Sequence, residues 1–144
     1  MTLLDVNVLV YAHRQDSADH VAYHDWLTAL VSSDAAYGLA ELVLSGFLRV
    51  VTHPRVFSPP SGLEDALHFV AELREQPNAV IVAPGPRHWD IFTGLCRSAG
   101  VKGNLVADAY LAALAIECGA EWISADRDYG RFPGLRWRHP LRLR

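Results

Sequence analysis

Short apolar runs alternate along this chain with longer segments whose apolar positions recur every three to four residues, and no other feature limits the fold as strongly. Residues 3–4, 35–38, 79–82, 121–124 and 135–138 have the length and composition of strands. Between them, helical spacing is read from Asp5 through Ala12 and His13, and over 20–30, 39–51, 87–98 and 105–118. A capping box, Ser61 with Glu64, opens a further helix that runs to Glu75. Asp19 or Ser17 is placed to cap the helix over 20–30, and Gly119 stands where the helix over 105–118 must end. Strands that are apolar on both faces and alternate with helices build a parallel sheet covered on both sides. The prediction is an α/β chain folded as one three-layer α/β/α domain over residues 1–144.

Charge narrows the possible partners. Thirteen Lys and Arg against sixteen Asp and Glu leave a formal charge of −3, so bulk positive charge cannot bring a polyanion to this protein and any such partner must meet a local patch. Two cysteines, Cys96 and Cys118, are too few for a disulfide framework or a zinc site and are read as reduced thiols. Asp5 interrupts the N-terminal apolar residues too early for a secretory signal, and the apolar stretch 35–51 carries Glu41 and Arg49. A cytoplasmic protein with no membrane span is expected.

The acids stand out against this background. Asp5 closes the first predicted strand and Asp126 follows the fourth, at the carboxyl edge where ligands bind in open α/β sheets. Asp108 lies inside Asn104-Leu105-Val106-Ala107-Asp108-Ala109-Tyr110-Leu111, a helix otherwise suited to the core, where a lone charge is costly unless paired or bound to a metal. Glu41 opens the apolar helix over 39–51 in the same way. Each acid also has a purely structural role open to it: Asp5 as a helix cap, Glu41 against the helix dipole, Asp126 and Asp128 as turn formers. Jointly, carboxylates without a Cys or His ligand pattern describe an oxygen-donor site for Mg²⁺ or Mn²⁺. Such a site suits phosphodiester hydrolysis by a metal-activated water.

Four segments resemble the PIN-domain nucleases, in the order and spacing of the VapC-type toxins of toxin–antitoxin systems. They are Leu3-Leu4-Asp5-Val6-Asn7-Val8-Leu9-Val10-Tyr11, Glu41 with Gly46-Phe47-Leu48-Arg49-Val50, the segment 104–115, and Ser124-Ala125-Asp126-Arg127-Asp128-Tyr129. The resemblance implies a single PIN domain with strand order 3-2-1-4-5 and a Mg²⁺- or Mn²⁺-dependent endoribonuclease that inhibits translation and leaves a 5′-phosphate and a 3′-hydroxyl. Asp5, Glu41, Asp108 and Asp126 match the family's acidic quartet as catalytic and metal-binding residues. Asn7 and Ser124 match polar positions that orient the carboxylates, and Asp128 is a further candidate there. Ser124 replaces the commoner Thr, and Tyr129 the commoner Phe. A VapB-type antitoxin and a homodimer are implied as partners beside the RNA substrate.

An RNA-binding platform is predicted near the C-terminus, where Arg127, Arg131, Arg136, Arg138, Arg142 and Arg144 are interleaved with Tyr129, Phe132 and Trp137. His20 and His24 share a helix face and are expected to be solvated. The tryptophans are expected in the core or as dimer anchors. Two rival readings remain: a module on the same fold that binds RNA without cleaving it, and a haloacid-dehalogenase-like phosphatase. The second is weakened by Asn7, where that chemistry needs a second Asp, and by a lone lysine, Lys102, in a glycine-flanked turn.

Overall fold

The computed structural model describes residues 1–142. Its sheet has five strands in the order β3-β2-β1-β4-β5, and every pairing is parallel. The strands are β1 (Thr2–Leu4), β2 (Tyr37–Ala40), β3 (Ala79–Val82), β4 (Glu121–Ile123) and β5 (Trp137–Arg138). The helices are α1 (Val6–His13), α2 (His20–Val31), α3 (Glu41–Val51), α4 (Leu63–Arg74), α5 (His88–Ala99) and α6 (Asn104–Cys118). Strand order steps outward from β1 through β2 to β3, then returns to the other side of β1 at β4. Right-handed crossovers therefore place α1 to α4 on one face and α5 with α6 on the other. Inter-helix packing agrees: α1 meets α2 and α3, α3 meets α4, and α5 lies along α6.

The reversal of strand order puts a switch point between β1 and β4, the position at which open α/β sheets form ligand crevices. Leu4 is in register with Ile123, and the Asp5 amide donates to the Ile123 carbonyl at 3.0 Å. The residues that follow these two strands, Asp5 and Ser124, are thereby held side by side. The core beneath them is continuous, with Leu3, Leu4, Tyr37, Leu39, Phe47, Leu114, Trp122 and Ile123 buried. Gly38 lies in β2 where a Cβ atom would stand 2.8 Å from Leu3 Cδ1 and 3.0 Å from Val82 Cγ2, so the flanking strands' side chains occupy the space that a larger residue would need.

Several local expectations shift. The second strand runs over Tyr37–Ala40 instead of 35–38, because Leu39 and Ala40 pair with Ile81 and Val82 and are drawn out of the helix predicted for them. Helix α3 consequently begins at Glu41. The capping box does not form: α4 starts after Gly62, while the Ser61 hydroxyl lies 3.0 Å from His13 Nε2 and accepts from Arg14 at 3.2 Å. Neither Ser17 nor Asp19 caps α2 through its side chain, since the Ser17 hydroxyl donates to the Arg14 and Tyr11 carbonyls and Asp19 makes no capping bond. Strand β3 is an edge strand with Val80 and Ile81 exposed, and not a buried one. Gly119 ends α6 in the left-handed conformation, as expected. Cys96 and Cys118 are free thiols. No helix of the described residues is long and apolar enough to cross a membrane.

Candidate active site

Asp5 is the residue at which β1 turns into α1, and its carboxylate serves both the fold and the site. Oδ1 accepts from the Val6 amide at 2.7 Å, which caps α1. Oδ2 accepts from the Ser124 hydroxyl at 2.6 Å and from the Asn7 side-chain amide at 3.3 Å. Asn7 also donates to Ser124 Oγ at 3.1 Å, and its carbonyl oxygen accepts from the Ala125 amide at 3.1 Å. The β1 and β4 ends are thus joined by a polar network in which each group has a partner. The indole of Trp137 adds a hydrogen bond to the Ser124 carbonyl at 3.0 Å.

Asp108 and Asp126 come to the same place from other parts of the chain. A cavity of about 610 Å³ is lined by Asp5, Asn7, Asp108, Asp126 and Tyr129, with α3 and the loop after it supplying Leu42, Gly46, Arg49, Val56 and Phe57. The Tyr129 hydroxyl donates to Asp108 Oδ1 at 3.2 Å from a ring that is itself buried against Trp122. Asp126 follows β4, and its Oδ1 accepts from the Asp128 amide at 2.9 Å, capping a 3₁₀ turn over Arg127–Arg131. Its structural role and its place in the pocket coexist, as they do for Asp5.

Burial and mutual repulsion shape the ionisation of these acids. Burial pushes the Asp5 carboxyl up to about 6, helped by the charges of Asp108 and Asp126 and opposed by the bonds from Ser124 and Val6. Asp108 is raised as well, first by burial and then by Asp126 and Asp128, against the Tyr129 hydrogen bond and Arg131. Tyr129 is held far above its ordinary value by burial and by the surrounding carboxylates, so it remains a proton donor.

Glu41 does not join this group. Its side chain is 72% exposed, it stands 3.9 Å from Arg74, and it does not line the cavity. Leu42, Ser45, Gly46 and Arg49 form the face of α3 that lines the pocket, while the carboxylate of Glu41, one turn before Ser45, lies beside Arg74 instead. Asp128 is exposed and turned toward Arg131 at 3.4 Å, outside the cavity lining, although its charge reaches Asp108.

The predicted arginine and aromatic platform is not assembled. Tyr129 and Phe132 are buried, and Trp137 is half-buried beneath its bond to Ser124, so these rings pack the core and offer no stacking face. The Arg136 guanidinium donates to the Gly119 carbonyl and Arg138 donates to Glu121 at 3.0 Å, while Arg131 faces Asp128. Arg127 has no hydrogen-bond or ion-pair partner among the described residues; Arg144 lies outside them. The cation that does line the pocket is Arg49. It was legible only through its spacing with Leu42, Ser45 and Gly46 on one helical face. His20 is oriented by the Tyr11 carbonyl at 2.9 Å, and His24 is exposed. Trp122 is in the core, whereas Trp89 is 64% exposed on α5. Lys102 does not line the pocket.

An all-parallel sheet in this order, with carboxylates gathered at its switch point, is the arrangement of a PIN domain. The PIN domain family model matches residues 2–135, and the chain belongs to that family. Its relatives place it among the VapC ribonucleases. Ribonuclease VapC43 of Mycobacterium tuberculosis is 49% identical over 141 residues, covering 98% of this chain and 96% of the relative. Ribonuclease VapC25 of the same organism is 39% identical over 140 residues, covering 97% and 99%. Among solved structures, VapBC2 from Rickettsia felis bound to a promoter DNA fragment superposes with a TM-score of 0.70 at 18% identity, covering 96% of this chain and 97% of that one. VapBC-1 from nontypeable Haemophilus influenzae superposes with a TM-score of 0.67 at 15% identity, covering 98% of each chain. These distant structures share the fold, and family membership sets aside the phosphatase alternative.

Proposed function

We propose that this VapC ribonuclease is the RNA-cleaving toxin of a two-component pair and that the pocket at the β1–β4 switch point is where it hydrolyses phosphodiesters with Mg²⁺ or Mn²⁺. The carrying observation is that Asp5, Asp108 and Asp126, far apart in sequence, line one cavity, where burial and the charges of Asp108 and Asp126 raise the proton affinity of Asp5. The donor set fits a hard divalent cation. All the pocket's acidic donors are oxygens, and their repulsion is what a cation relieves. Among the described residues no three acidic, His or Cys groups are drawn into a closed metal cage. Mg²⁺ does not require one, since it keeps several waters and is commonly held by one or two carboxylates together with substrate phosphate.

Asp5 and Asp108 are the principal proposed ligands, with Asp126 completing the set and Glu41 left outside it. When bound, the cation would polarise the phosphate and lower the pKa of an attacking water. The protein's own contribution is positional. Val6, Ser124 and Asn7 fix the Asp5 carboxylate through both oxygens, and Tyr129 fixes Asp108 through one, leaving Asp108 Oδ2 without a donor among the described residues. Asn7 and Ser124 keep the two strand ends at constant separation.

The partners follow from the same reading. A VapB-type antitoxin is proposed to bind this chain, supported by superposition on VapBC complexes. A homodimer in the cytoplasm is proposed as well, with the exposed Trp89 on α5 a candidate contact.

The test is to incubate antitoxin-free protein with total tRNA and ribosomal RNA in Mg²⁺, Mn²⁺ or EDTA, beside Asp108→Asn. Discrete metal-dependent products with 5′-phosphate ends, lost in the variant, are expected. A folded wild-type protein that cleaves none of these RNAs would overturn the reading in favour of a non-cleaving RNA-binding module.

A further inference from the structure

The two walls of the pocket differ in character. The end of β1, α6 and the turn after β4 supply its acids, while α3 and the following loop supply Leu42, Arg49, Val56 and Phe57. Leu42 and Val56 are more than half exposed, at 56% and 53%. Arg49 shares a cavity with three carboxylates, yet among the described residues it makes no hydrogen bond and no ion pair. A guanidinium in that position is not used to neutralise the acids and is available to an anion that enters the pocket. Its planar fork matches two phosphate oxygens.

We propose that Arg49 grips the RNA phosphate next to the one being cleaved, with the neighbouring base resting against Leu42 and Val56. This rests on the ribonuclease reading above and adds the residue that draws RNA into an acidic site. A single strand presents phosphates at regular spacing together with base faces that tolerate apolar contact, and so matches both features of this wall. Of the expected C-terminal arginines, Arg136 and Arg138 are held by Gly119 and Glu121, Arg131 faces Asp128, and Arg127, unpaired among the described residues, does not line the pocket.

The experiment compares Arg49→Ala, Arg49→Lys and Arg97→Ala, the last being an exposed arginine on α5 that does not line the pocket. Binding is read by fluorescence anisotropy with a labelled single-stranded RNA of mixed sequence, in an Asp108→Asn background with Mg²⁺. Cleavage of total RNA is read in the otherwise native chain. Arg49→Ala is expected to weaken binding about 10-fold and to reduce the salt dependence by about 0.7 in log–log slope, the value for one lost single-strand phosphate contact. In cleavage it should raise KM and leave kcat within about threefold, with Arg49→Lys intermediate. Mn²⁺ affinity and thermal midpoint should not move, and Arg97→Ala should behave as wild type. Equal losses in Arg49→Ala and Arg97→Ala, RNA binding within twofold of wild type, or a loss confined to antitoxin binding would each overturn the assignment. If wild type cleaves RNA and Arg49→Ala does so with unchanged KM, only this inference fails; if wild type cleaves nothing, the ribonuclease reading fails with it.

Discussion

Asp5 and Ser124 are 119 residues apart in sequence, and the Ser124 hydroxyl donates to Asp5 Oδ2 at 2.6 Å. The same oxygen of Ser124 accepts from the Asn7 amide at 3.1 Å and from the Asp126 backbone N–H at 3.0 Å, so one buried hydroxyl ties two of the pocket's acids together. Ser124→Ala should destabilise the protein by about 1–3 kcal/mol, because it leaves buried donors without an acceptor. It should also weaken Mn²⁺ binding, because it removes a bond that favours the ionised form of Asp5. Denaturant midpoints and calorimetric titration with Mn²⁺ check the two effects separately.

The raised Asp5 pKa predicts how stability responds to pH. In the native state this carboxyl keeps its proton up to about pH 6, whereas its ordinary value is 3.8. Between those values the folded protein binds more protons than the unfolded chain, so stability falls as pH rises and levels off above about 6. The contribution is on the order of 3 kcal/mol. In EDTA the melting temperature should be higher at pH 5 than at pH 7.5. Mn²⁺ should raise it more at pH 7.5, where the carboxylates are ionised. A metal-free melting temperature that climbs between pH 5 and 7.5 would contradict the assignment.

Tyr129→Phe keeps the buried ring against Trp122 and deletes the bond to Asp108. Stability should change by about 1 kcal/mol, the usual net value of one hydrogen bond. Asp108 would lose the donor that holds its carboxylate, so cleavage should fall and the acid limb of its pH profile should move upward. An unchanged profile would mean that the hydroxyl does not position Asp108.

Glu41 and Asp108 should behave differently. Glu41 is exposed outside the cavity, so Glu41→Gln should leave stability within about 0.5 kcal/mol and Mn²⁺ affinity close to wild type. Asp108→Asn should lose most Mn²⁺ binding and cleavage. Parallel calorimetric titrations of the two variants decide the point, and equal loss in both would place Glu41 among the ligands.

Much of this architecture could be read along the chain. Residues 79–82 form the strand that their apolar run predicted, and α6 runs to the glycine that ends it, because periodicity and a left-handed cap are local properties. The resemblance carried the strand order, which no local pattern contains. Ser61 shows where local reading stops: its capping motif is intact in sequence, but His13 and Arg14 occupy the hydroxyl from a distant turn.

The sequence by itself determined the alternation of strands and helices, and it marked Asp5, Glu41, Asp108 and Asp126 as the candidate acids. Tertiary structure decided which side chains share the pocket. Pairing of Leu39 and Ala40 with β3 set the start of α3 at Glu41, whose carboxylate lies beside Arg74, while Arg49, two turns further on, lines the pocket. Packing took Tyr129 and Phe132 into the core instead of leaving them for RNA. The physical reason is common to these cases. A residue's neighbours in sequence set its local conformation, but its direction and its partners depend on contacts from segments tens of residues away.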